Sequence, residues 1–204
     1  MSLRTTGQFL LVGALGLTFA NIIELIVPGP DGLTGPGSIP TDVVAVVSGI
    51  VAIVGLPALY RIQASRTGLA GRLGVVLLCL ATFCVFVVSN GVQFLDVAAP
   101  GHVPHDRPDG PPTFLIIIVT IGILSYVVGG LTVGIVSLRA RVLPAGLGWL
   151  LIAAVVLVVL SNALLPPNTT ANEIGKISVT SVMFVAWAWA GTCTLARQPV
   201  AVAG

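Results

Sequence analysis

TFLIIIVTIGILSYVVGGLTVGIVSLRAR, residues 113–141, carries no charged side chain before Arg139, and it is bounded by Asp106 and Asp109 on one flank and by Arg139 and Arg141 on the other. A helix rises 1.5 Å per residue, so this run exceeds the ~30 Å of hydrocarbon in a bilayer. It lacks the period-2 alternation of a barrel strand, and unpaired backbone groups in lipid cost several kcal/mol each, so helix is the conformation it requires. Five more runs share its character. With it they predict spans at about 8–27, 43–60, 73–95, 113–138, 146–165 and 177–196. The expected fold is all-α, a single bundle of six transmembrane helices arranged as three hairpins.

Charge partitions between the gaps. Arg4, Arg61, Arg66, Arg72, Arg139, Arg141 and Arg197 fall at the N-terminus, in the second and fourth gaps, and at the C-terminus. Glu24, Asp31, Asp42, Asp96, Asp106, Asp109 and Glu173 fall on the opposite side, accompanied only by Arg107 and Lys176. The positive-inside rule then places both termini in the cytoplasm and the acidic loops outside, as expected of a multi-pass plasma (inner) membrane protein. Arg4 and the apolar run after it also resemble a signal peptide, but the run is of span length and no small-x-small site follows it before Pro28. It reads as an uncleaved first span.

Composition agrees. The chain of 204 residues is 56% hydrophobic and only 8% charged, against about 25% charged in a soluble domain. The net charge of +2 divides into a basic inner face and an acidic outer one, so lipid is the expected partner, with other membrane proteins as further candidates, and nucleic acid is not. Cys79, Cys84 and Cys193 lie inside predicted spans in no CxxC spacing and read as small core residues.

The odd spans share Ala20-Asn21, Ser89-Asn90 and Ser161-Asn162 near their outer ends, each followed by a proline-containing exit. The spacing raises a threefold repeat, although any six-span protein carries polar residues near helix ends. On the fourth span Gly122, Tyr126, Gly130 and Gly134 recur every fourth residue, a mostly small stripe that lets a neighbouring backbone approach. Pro57, beside Gly55, is expected to kink the second span. Trp187 and Trp189, two residues apart, point to different faces.

Two constellations could carry chemistry. Asn21 and Glu24 lie three residues apart on one face of the first span, and Asn90 and Gln93 repeat that spacing on the third. If the two spans meet near their outer ends, these four side chains form a polar cluster able to bind a cation or a polar substrate; ordinary interhelical hydrogen bonding fits the pattern too. His102 and His105, with Asp106 and Asp109 behind them, offer weak metal ligation, since zinc sites need three or four convergent ligands. There is no GxGxxG, Walker loop or GxSxG nucleophile, so no catalytic residue and no cofactor is expected.

GLPALYR at Gly55–Arg61, the Gly-Arg-Leu-Gly stretch at Gly71–Gly74 and the hairpin plan resemble small, uncharacterised six-span membrane proteins of high-GC Gram-positive bacteria, a group whose resemblance implies the fold and no activity. Three classes of function follow. The scarcity of polar residues in the spans puts a non-catalytic membrane subunit or helix-bundle partner protein first. A small transporter or channel-like protein using Asn21, Glu24, Asn90 and Gln93 comes second. An outer-face metal-handling protein or enzyme using His102 and His105 comes third.

Overall fold

The computed structural model describes residues 1–26, 39–99, 101–104, 106, 111–164 and 170–196. These residues are helical apart from short connections, with no strand among them. In order they are α1 (Leu3–Ile26), α2 (Ile39–Gly55), α3 (Pro57–Arg61), α4 (Ala64–Thr82), a π-helical segment (Phe83–Ser89), α5 (Asn90–Ala98), α6 (Thr113–Ala140), α7 (Ala145–Leu164) and α8 (Thr170–Ala196). Among the described residues six stretches are long and apolar enough to cross a membrane: Leu3–Glu24, Pro40–Arg61, Ala64–Ala98, Thr113–Ala140, Ala145–Leu164 and Ile177–Ala196. We refer to them as the first to sixth segments. Several outrun the stretches expected from hydropathy, because helix hydrogen bonding continues into polar flanks that a hydropathy window excludes.

The segments close a ring. Each packs against its neighbours in chain order, and α8 packs along α1. Glycine sets these approaches. A methyl group added at Gly13 or Gly16 would collide with Ala52 or Ser48 of the second segment. One added at Gly191 would stand 3.0 Å from the Gly7 carbonyl oxygen and the Leu11 nitrogen of the first. Small residues at such crossings bring the backbones together and multiply dispersion contacts, which lipid tails would otherwise supply equally well.

The fourth-segment stripe divides between two neighbours. A methyl at Gly122 would meet Cys84 and Val85 of the third segment, whereas methyls at Gly130 and Gly134 would meet Val155 and Ile152 of the fifth. The closest approach to the backbone of the third segment is at Gly129, outside the stripe, where an added methyl would lie 2.9 Å from the Gly74 oxygen. A helix turns 100° per residue, so a four-residue stripe drifts around the axis and serves both partners.

One end of the ring gathers arginines. Arg61 donates to the Met1 carbonyl (2.7 Å) and Arg66 to the Ala140 carbonyl (3.1 Å), at the last turn of α6. There the chain turns through Arg141 in the left-handed region (φ 52°), and Arg66 supplies a cation where the helix dipole is negative. Gly68, with φ 51° and ψ −144°, breaks α4 just beyond, in a conformation that only glycine adopts easily. The second segment is divided at Leu56, between α2 and the Pro57 that begins α3, while Leu56 itself keeps right-handed helical geometry (φ −52°, ψ −36°).

Leu10, Ala14, Leu56, Leu59, Leu78, Leu147, Leu151, Phe184 and Trp187 fill the interior from this end to mid-height. The outer surface is apolar: Val12, Phe19, Leu124 and Leu164 are each more than half exposed, as a multi-pass membrane protein requires.

Candidate functional site

At the other end the interior of the ring is not filled. Between the segments lies an open cavity of about 500 Å³. The first segment contributes Leu17, Ala20, Asn21 and Glu24, and the second Thr41 and Ala45. From the third come Val85, Phe86, Ser89, Asn90 and Gln93, from the fourth Leu115, Ile116, Val119 and Thr120, and from the sixth Ile177 and Thr180. The four polar residues singled out in the sequence thus share one space. The first and third segments do not pack directly against each other; they face one another across the cavity, with the second wedged between them.

Each polar side chain is held by a different device. Asn21, buried, donates to the Thr180 hydroxyl at 2.8 Å, with longer contacts of 3.4 Å to the Ile177 carbonyl and the Ser181 hydroxyl. Its amide therefore ties the first segment to the sixth. Asn90 donates to the carbonyls of Val85 (3.2 Å) and Phe86 (3.1 Å) within its own helix. Those carbonyls belong to the π-helical segment, where widened turns disturb the backbone ladder and a side-chain donor can join it. Gln93 donates to the Ser89 hydroxyl at 3.3 Å, and its own carbonyl oxygen is buried with no hydrogen-bond partner among the described residues. Glu24 is half-buried and is the one carboxylate among the described lining residues, none of which is basic.

Asn162, the third member of the proposed repeat, is exposed and donates to Val158 of its own helix at 2.8 Å. The three asparagines therefore do not share one environment.

Several site features are not evident from residue spacing. Asp42 is only 1% exposed, one residue from the cavity-lining Thr41, and its Oδ2 has no partner among the described residues. Its position at a span boundary offered no sign of burial. The π-helical segment carries Val85, Phe86 and Ser89 into the wall, and no composition marks it. At the arginine end, Gln63 is 2% exposed and donates to the Leu59 carbonyl and the Ser137 hydroxyl, both at 3.0 Å. Phe86, Phe184 and Trp187 form a chain of aromatic contacts with ring centroids 5.2 and 5.7 Å apart, and of the three Phe86 lines the cavity. Trp187 is buried while Trp189 is partly exposed, on the separate faces their spacing implies.

His102 is exposed, with Nδ1 3.1 Å from the Ala99 carbonyl, and His105 lies outside the described residues. Among the described residues no group of three or more His, Cys, Asp or Glu side chains converges. Asp106 accepts the Thr113 backbone N–H at 2.9 Å, a helix-start role.

Neither family models, nor the curated proteins, nor the solved structures give a match to this chain. The functional reading therefore rests on the cavity itself.

Proposed function

We propose that this protein is a plasma-membrane binding or carrier protein that admits a small amphipathic molecule into its central cavity from the acidic, extracytoplasmic side. Both termini and the arginine end face the cytoplasm, the orientation favoured by the charge partition. The observation that carries the proposal is that the polar residues of the first and third segments converge on a space of about 500 Å³, within the range of small-molecule sites. Its rim offers amides, hydroxyls and the Glu24 carboxylate, while Leu17, Val85, Phe86, Leu115 and Val119 make the walls apolar. Such a surface suits a neutral or cationic polar head joined to an apolar body. A carboxylate at the rim disfavours an anionic head by like-charge repulsion.

The geometry favours the transport class over the subunit class. The subunit reading draws on a scarcity of buried polar groups, whereas Asn21, Thr41, Asp42, Gln63, Thr82 and Ser125 are all buried in the ring. The cavity lies at one end of the ring, and Leu10, Leu56, Leu59, Leu147 and Leu151 are fully or almost fully buried in the core, which fits a binding state and not an open channel. Its test is accessibility. In a background lacking Cys79, Cys84 and Cys193, Ser89→Cys should react with a membrane-impermeant thiol reagent added to intact cells, and amphipathic amines should slow the reaction. Labelling only from the cytoplasmic side would overturn the orientation, and labelling that no amphipath slows would overturn the binding role.

A further inference from the structure

Two asparagines on the cavity wall have their amide groups oriented by the chemistry of their partners. Asn90 faces the carbonyls of Val85 and Phe86, and a carbonyl can only accept, so the amide nitrogen must be the atom that meets them. At Asn21 the same conclusion takes one further step. The Thr180 and Ser181 hydroxyls both give their hydrogens to the Ile177 carbonyl, at 3.0 and 2.8 Å, and therefore meet Asn21 as acceptors, as does that carbonyl itself. Both hydrogens of each amide are thus directed into the protein, and the carbonyl oxygen is what each side chain has left to offer.

Those two oxygens accept no hydrogen bond from the described residues, and neither is sealed off. The buried side-chain polar atoms without a partner among the described residues are Asp42 Oδ2, Gln63 Oε1, Gln93 Oε1, the Tyr126 hydroxyl and the Trp187 indole nitrogen. The Asn21 and Asn90 oxygens are not of that set, so they open on the space that both residues line. Gln93, by contrast, spends an amide hydrogen on Ser89 and presents no accessible oxygen. Two hydroxyls of the wall also turn their hydrogens inward: Thr120 donates to the Ile116 carbonyl at 2.7 Å and Thr180 to that of Ile177. The first and third segments therefore face one another across the cavity with acceptors, beside the Glu24 carboxylate at the rim.

We propose that the cavity selects primary amines, bound as their ammonium ions with N–H bonds to the carbonyl oxygens of Asn21 and Asn90 and with the apolar body against Leu17, Phe86 and Val119. The inference rests on the reading of this cavity as a binding site and narrows its ligand. A primary ammonium carries three donors and no acceptor, which complements such a wall. A quaternary ammonium carries the same charge and no donor, so charge alone would not tell the two apart, whereas the asparagine oxygens would.

Heptylammonium and heptyltrimethylammonium, both cations at neutral pH, are the probes. Each is titrated onto the purified protein in maltoside micelles by isothermal titration calorimetry, with empty micelles as reference. Heptylammonium should bind about tenfold to hundredfold more tightly, the ratio expected of one or two net hydrogen bonds from a charged donor. Asn90→Leu, which removes the oxygen and breaks only bonds within its own helix, should shrink that ratio to about threefold or less, and Asn21→Leu should do the same. Val119→Trp, at a half-buried position on the wall, should weaken both probes together. Each variant is required to run as a single species on gel filtration, and the wild-type ratio stands without them.

Equal or weaker binding of heptylammonium to the wild type would overturn the donor requirement while leaving the cavity standing. A preference that persists undiminished in both asparagine variants would do so too, since selection by headgroup size alone survives loss of the oxygens. No specific binding of either probe, or binding untouched by Val119→Trp, would sink the cavity reading and the inference with it.

Discussion

Gly129→Ala and Gly91→Ala make the same chemical change in two helices and isolate the contribution of close packing to the ring. At Gly129 the added methyl would lie 2.9 Å from the Gly74 oxygen and 3.0 Å from both Leu77 Cβ and the Leu78 nitrogen. Two of these three are backbone atoms, which cannot rotate away. Relief requires the third and fourth segments to part by roughly 0.5 Å toward ordinary contact distance, loosening their whole interface. Overpacking of this kind costs about 1–3 kcal/mol, while alanine in place of glycine returns up to about 1 kcal/mol of helix propensity. At Gly91 nothing lies within 4 Å of the added methyl, so only the propensity gain applies. The two variants should therefore differ by about 1–3 kcal/mol in reversible unfolding by sodium dodecyl sulfate followed by circular dichroism, with Gly129→Ala below the wild type or level with it and Gly91→Ala at or above it. Equal stability of the two would refute the claim that glycine at this crossing sets the approach of the two segments.

Asn21→Ala should destabilise the ring by roughly 0.6–1.7 kcal/mol through loss of its bond to Thr180, and Asn162→Ala should leave stability within about 0.5 kcal/mol, both read in the same unfolding assay. Gln63→Leu should cost no more than about 1 kcal/mol, because it removes an unpaired buried oxygen together with the Ser137 bond, whereas Gln63→Glu should cost several kcal/mol, and unfolding midpoints distinguish them. In a cysteine-free background, Asp106→Cys should be labelled by an impermeant maleimide in intact cells and Arg66→Cys only after permeabilisation; labelling of both from outside would contradict the proposed orientation.

The number and extent of the apolar helices were legible in the residues because both follow from local demands. A run must be long enough for the hydrocarbon, and its backbone must satisfy itself within the helix. The segregation of arginine from aspartate and glutamate was equally local, as was the polar character of Asn21, Glu24, Asn90 and Gln93 at one end of two segments. Asp31, His105 and Asp109 lie outside the described residues.

The tertiary structure decided which way those side chains face. A helical residue's direction depends on rotation about its axis, and rotation is fixed by contacts between segments far apart in sequence, such as Gly7 with Gly191 and Gly74 with Gly129. The π-helical segment adds a further turn of the screw, since one extra residue in a turn rotates everything after it by roughly 100°. That is why Asn90 and Gln93 reach the cavity while Asn162, in a similar local sequence, faces outward. Hydropathy counts how much apolar surface a helix carries, but only closure of the ring determines which part of it encloses a space.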